Sequence, residues 1–207
     1  MKKIITLLAL TFVVNLTAQT QYEKGMTNAF QLWGAKKNAE ASQLFERIAN
    51  AEKNNWLPYY YAATVEIVSC FGLQDEVVLT ARLKKAKKFL DKANALSKDN
   101  PEITINYALL NTAYIAFDGQ KYGMTLSQEN AALYAEALKL APNNPRVIFS
   151  KAEWDMGSAR FFGQSIAPYC KDVKRAIELA KKETVPYKFY PRFQFDRAQQ
   201  TLKNCAK

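Results

Sequence analysis

The side chains that most often do chemistry are scarce in this chain, beginning with imidazole: its 207 residues include no histidine. That removes the commonest general base and every Ser-His or Cys-His nucleophile pair. Paired carboxylates are the remaining route to acid–base work, and Asp118, Glu153, Asp155 and Asp172 are the candidates. Charged residues on helices mostly face water, so these four read as solvated and no catalytic residue is assigned. The three cysteines, Cys70, Cys170 and Cys205, form no CxxC pair. Without histidine they match no zinc-site spacing, so neither a metal nor a cofactor is expected.

The cysteines bear on compartment instead. If Pro168 to Lys182 and Pro191 to Cys205 form successive antiparallel helices, Cys170 comes close to Cys205 and a disulfide would staple the terminal hairpin. The alternative is three unpaired, partly buried thiols. The chain opens with Met1-Lys2-Lys3 and the apolar run IITLLALTFVV. That order, with Leu16-Thr17-Ala18 as a cleavage site, is the pattern of a secretory signal. The apolar run is shorter than the roughly 20 residues a spanning helix needs. Residues 1–18 are therefore expected to be a signal peptide, and 19–207 an exported domain, periplasmic or secreted.

Loss of Lys2 and Lys3 leaves 27 basic against 19 acidic side chains, a net charge of +8, which favours anionic neighbours. The densest basic run, Arg82 to Lys88, lies on an expected long helix and turns most of its charge away from the apolar stripe. A solvated helix face is the default reading; contact with an anionic membrane surface or an acidic polymer is the functional one. No recognised motif supports nucleic-acid binding.

What must position any site is a set of repeats. Residues are 49% hydrophobic, with seven Gly and seven Pro, a composition suited to one folded helical unit. Ala29, Ala63, Ala108, Ala152 and Ala198 stand in equivalent contexts, at intervals of 34, 45, 44 and 46 residues. Periods in that range signify stacked repeats. Each unit is a helical pattern, a polar break with Asn or Pro, and a second helical pattern. Helices are expected from Leu57 to Phe71 and from Asp75 to Ser97, the latter striped by Leu79, Leu83, Ala86, Leu90 and Ala93. Asn100-Pro101 and Asn144-Pro145 read as cap-then-proline helix starts. The lengthened connections open alike, at Phe71-Gly72, Phe117-Asp118-Gly119 and Phe162-Gly163, with glycine as the expected left-handed stop. Thr125 and Gln128 read as a capping box for the helix after the second of them. Tyr187, Phe189, Tyr190, Phe193 and Phe195 are assigned to the core of a terminal capping helix, because open arrays need one.

The stretch KLAPNNPRVIFSKA, with the triads Ala41/Phe45/Ile48 and Ala86/Leu90/Ala93, resembles the tetratricopeptide repeat (TPR). The resemblance runs over residues 22 to 206, and the layout is similar to exported repeat proteins of flavobacterial type. It departs from the standard pattern where the consensus Trp, Leu and Gly of first helices are mostly missing, and in about ten extra residues in each of the last three hairpins. The resemblance implies an all-α, right-handed superhelical array of four helix hairpins plus a C-terminal capping helix.

It also implies that first helices line a concave groove, to which Met26, Phe30, Trp33, Tyr60, Thr64, Ile67, Ile105, Leu109, Phe149, Glu153 and Met156 contribute. Lacking Lys, Arg and Asn at these positions, the groove does not fit a carboxylate clamp. An apolar groove suits a segment of a partner protein; the main expectation is a non-catalytic scaffold for protein partners. A carrier or sensor of a lipid-like or other apolar small molecule is the alternative. The same residues would be ordinary core if the chain's own loops filled the groove.

Overall fold

The computed structural model describes residues 21–205; the expected signal peptide and its cleavage site lie outside them. Among the described residues the chain is all α-helical, with nine α-helices and no strand. These are α1 (21–34), α2 (Asn38–Ala51), α3 (Trp56–Val68), α4 (Glu76–Leu96), α5 (Pro101–Phe117), α6 (Gly119–Leu140), α7 (Pro145–Phe161), α8 (Cys170–Ala180) and α9 (Phe195–Asn204), with a short 3-10 turn, Ala167–Tyr169, before α8. Neighbours in sequence pack on one another from α2 to α9, and α3, α5 and α7 also touch side by side. No described helix is long and apolar enough to cross a membrane.

The starts of α3, α5 and α7 are built alike. Asn55, Asn100 and Asn144 each sit in extended backbone and accept a hydrogen bond from the amide two residues on, at 3.0, 3.0 and 2.9 Å. Each cap satisfies an amide that the helix itself leaves free, and proline opens α5 and α7, where a missing N–H is harmless. Ala63, Ala108 and Ala152 follow eight residues after their caps and are all buried, as are Ala29 and Ala198. A methyl side chain is what allows two helices to close on each other at those points. The α4 stripe of Leu79, Leu83, Ala86, Leu90 and Ala93 is wholly buried.

Three expectations need correction. The long helix expected from Asp75 to Ser97 is α4, of 21 residues, but in the third hairpin the residues after Phe117 also lengthen a helix, α6, to 22 residues, rather than opening with a stop at Gly119. Thr125 and Gln128 accordingly lie inside α6. Asp118 alone separates α5 from α6, and its carboxylate caps the new helix by accepting from the Lys121 amide at 2.9 Å. Gly72 and Gly163 take the left-handed conformation (φ 88° and 65°), but Gly119 is the first residue of α6. Finally, α8 and α9 are shorter than the two helices expected from Pro168 and Pro191. Residues 181–194 between them are an irregular strap.

Candidate functional site

The strap runs from α7 past α3 to α1 and returns to α7. Glu183 meets Arg146 at the start of α7 in a two-pronged ion pair of 2.6 and 2.8 Å. Tyr187 Oη accepts from Trp56 Nε1 at 3.1 Å, and Lys188 pairs with Glu23 of α1 at 2.6 Å. Phe189 takes a left-handed backbone (φ 64°), costly for a residue with a Cβ. That geometry turns its ring onto Phe30, stacked at 5.9 Å, and edge-on to Tyr22 at 5.8 Å, while its carbonyl accepts from Tyr61 Oη at 2.7 Å. Phe193 reaches back to Phe149 at 5.6 Å.

The aromatic segment therefore does not serve the terminal helix as a unit. Phe193 joins the core around α7 to α9. Phe189 and Tyr190 pack against the N-terminal core, and Tyr187 and Phe195 are exposed. The physical reason is the strap's length: it is free to follow the larger apolar surface, which lies on α1 and α3.

Of the eleven groove residues named from the sequence, Met26, Tyr60, Ile67, Ile105, Phe149 and Met156 are buried. Phe30, Trp33, Thr64, Leu109 and Glu153 are half-buried. Phe30 and Phe149 lie against the strap, Thr64 accepts from Asn106 Nδ2 at 2.7 Å, and Glu153 accepts from Arg197 Nε at 2.8 Å. Burial pushes the Glu153 carboxyl up, against the pull of Arg197. The four carboxylates weighed for catalysis are not gathered into one cluster by any contact between them. Cys170 and Cys205 are joined in a disulfide.

Beneath the strap sits a buried charge network. Glu102, on α5, is fully buried; one carboxylate oxygen accepts from Arg146 Nε at 2.9 Å and from Asn144 Nδ2 at 2.7 Å. The other oxygen has no hydrogen-bond partner. Burial raises the Glu102 carboxyl despite Arg146 beside it. Arg146 also faces the ring of Tyr190, 5.4 Å away, whose phenol burial pushes up to about 12.

Where the strap passes α1 and the α2–α3 turn, it leaves an open cleft of about 670 Å³. Tyr22, Trp56 and Tyr187 give it aromatic walls, and Lys53 and Lys188 stand at it as cations beside Glu23 and Glu52. The sequence reading missed this place because its residues come from three separate parts of the chain, the start of α1, the α2–α3 turn and the strap. The usable signal was the aromatic density of YKFYPRFQF together with Trp56 directly behind two asparagines. Among the described residues no group of three or more potential ligands could hold a metal ion.

Fold and cleft together define an all-helical protein with an aromatic-walled hollow between the start of α1, the α2–α3 turn and the strap. No family model matches the chain, and no curated protein matches it. Among solved structures, the fold is similar to that of the HusA haemophore from Porphyromonas gingivalis, with a TM-score of 0.78 and 24% sequence identity. The likeness covers 89% of this chain and 92% of that one.

Proposed function

We propose that the chain is an exported, non-catalytic carrier of an apolar, flat small molecule, taken up in the cleft walled by Tyr22, Trp56 and Tyr187. The observation that carries this reading is the cleft itself: a hollow of about 670 Å³ with three aromatic side chains set among charged and amide ones has the size of a small-molecule site. The chain-wide likeness to a haemophore supports a ligand of the haem class. The Cys170–Cys205 bridge suits an oxidising compartment. A chain without histidine offers no imidazole to iron, so ring contacts carry the binding, and the lysines face any acidic substituent. The repeated caps and side-by-side first helices support reading the architecture as a TPR-like superhelix of four hairpins closed by α9. A protein partner in the groove is less supported, since the strap already covers Phe30 and Phe149.

The test is a titration with haemin and with metal-free protoporphyrin, followed by Trp fluorescence and absorbance. Saturable binding of both at one equivalent, weakened by Tyr187→Ala without loss of stability, is expected. Absence of saturation with either ring would overturn the reading. Native mass spectrometry of protein purified from its own host gives the ligand's mass directly.

A further inference from the structure

The far ends of the first helices carry an unexplained apolar rim. Val68 ends α3 and Phe71 follows it, Val77 lies in the first turn of α4, Met124 lies in the first turns of α6, and Phe161 and Phe162 close α7. Their exposures are 41, 43, 79, 86, 69 and 70%. These side chains lie along one connected edge. Glu76 of α4 accepts from Tyr122 Oη of α6 at 2.5 Å and pairs with Lys121. Phe161 lies against Gly119 so closely that a Cβ there would come within 3.3 Å of its ring. With aromatic side chains offering roughly 150–250 Å² each when uncovered, the rim leaves on the order of 700 Å² of apolar surface. A typical monomer's largest patch is about 300–600 Å², and a stable dimer buries about 800 Å² per partner.

The same edge also contains a receptor for its own side chains. Residues 70–74 and, from α5, Ala113, Ala116 and Phe117 line a partly open hollow of about 160 Å³, room for one side chain. Knob and hollow on one surface make it self-complementary, the condition for a two-fold contact in which each copy gives and receives. Charge agrees: Asp75 and Asp118 cap α4 and α6, Glu76 pairs with Lys121, and Arg160 stands in the last turn of α7, so the rim carries both signs and two copies meet without net repulsion. An anionic membrane would need a basic border, which these carboxylates break.

We infer that this rim is the interface of a two-fold homodimer, in which Phe162 of each copy enters the Phe71–Phe117 hollow of the other. The ligand cleft lies at the opposite ends of the first helices, beside Trp56, so the dimer leaves both clefts facing outward. The inference stands independently of what the cleft binds.

Sedimentation velocity over a concentration series tests it on the full mature chain. A concentration-dependent dimer is expected, weakened about tenfold or more by Phe162→Asp and by Ala116→Trp, which fills the hollow. Both residues are exposed, and helical circular dichroism checks that each variant folds. Mixing Phe162→Ala with Ala116→Trp should recover heterodimer, because one knob and one hollow remain able to meet. A monomer at every concentration, a dimer indifferent to both substitutions, or a monomer that floats with lipid vesicles through Phe162 would each overturn the dimer.

Discussion

From α1 to α5 one apolar cluster runs unbroken, centred on large buried side chains such as Met26, Phe45, Ile67, Leu83, Leu90 and Ile103. Around α7, α8 and α9 the cluster is smaller and leans on Ala152, Ala176, Ala180 and Ala198 between Phe149, Met156 and Val173. The first region has no cross-link and relies chiefly on burial, at about 25 cal/mol per Å² of apolar surface, with Glu66 paired to Arg82 and Lys85 at its edge. The second has a covalent bridge across its last two helices, closing a separation of 35 residues. Where apolar burial is limited, small domains use cross-links to hold the fold. The strap ties the regions together, since it carries Glu183 onto α7 and Phe189 onto α1.

Breaking that tie should have the largest effect. Arg146→Ala leaves Glu102 buried without its cation and releases Glu183, a loss of about 3–5 kcal/mol when one partner of a buried pair is removed. Chemical denaturation measures it, and both regions should loosen together. Glu102→Gln keeps the Asn144 contact and removes the charge, so its cost is expected to be far smaller. The pH dependence has a defined sign. Burial raises the Glu102 carboxyl, so the folded state holds that proton more tightly than the unfolded one. The group's contribution to stability is present at acid pH and is lost as pH rises through the raised value. The defect of Arg146→Ala should therefore shrink on acidification from neutral pH, and the double variant with Glu102→Gln should lose that pH dependence.

Cutting the bridge should come next, and should separate the two regions. Closing a loop of this length contributes about 3–4 kcal/mol through the unfolded chain. Cys205→Ser is thus expected to abolish slow amide exchange in α8 and α9 while α2 to α5 keep theirs. Uniform loss along the chain would mean that the strap makes one cooperative unit of both. Phe189→Ala should cost less, about 1–2 kcal/mol, because the half-buried ring gives up its contacts with Phe30 and Tyr22 while the strained backbone at φ 64° is unchanged.

The two regions also differ in how well they could be read from residues alone. Helix existence, the α4 stripe and the marker alanines were legible because amphipathic spacing and Asn-Pro caps are local signals. The start of α6 was not: Thr125 and Gln128 read as its cap and Gly119 as a stop, whereas the helix begins at Gly119 behind Asp118, with Phe161 of α7 packed against that glycine. The strap was harder still. Its partners Trp56, Tyr61 and Phe30 lie more than 120 residues away in sequence, so no periodicity could announce them. The cleft, which depends on the strap, stayed hidden for the same reason.

The smallest effect concerns the N-terminal region's thiol, and it sharpens the contrast with the bridged pair. Cys70 is 2% exposed, its Sγ donates to the Glu66 carbonyl at 3.2 Å, and burial pushes its pKa up to about 11. A thiol so placed is rarely ionised and out of reach of reagents. The folded protein should give no reaction with a disulfide reagent, and one equivalent after denaturation. Cys70→Ala should cost only about 1 kcal/mol, as a small buried group is lost. Rapid labelling of the native protein would place the end of α3 among parts that open readily, and the unbroken N-terminal core would then stop short of the rim.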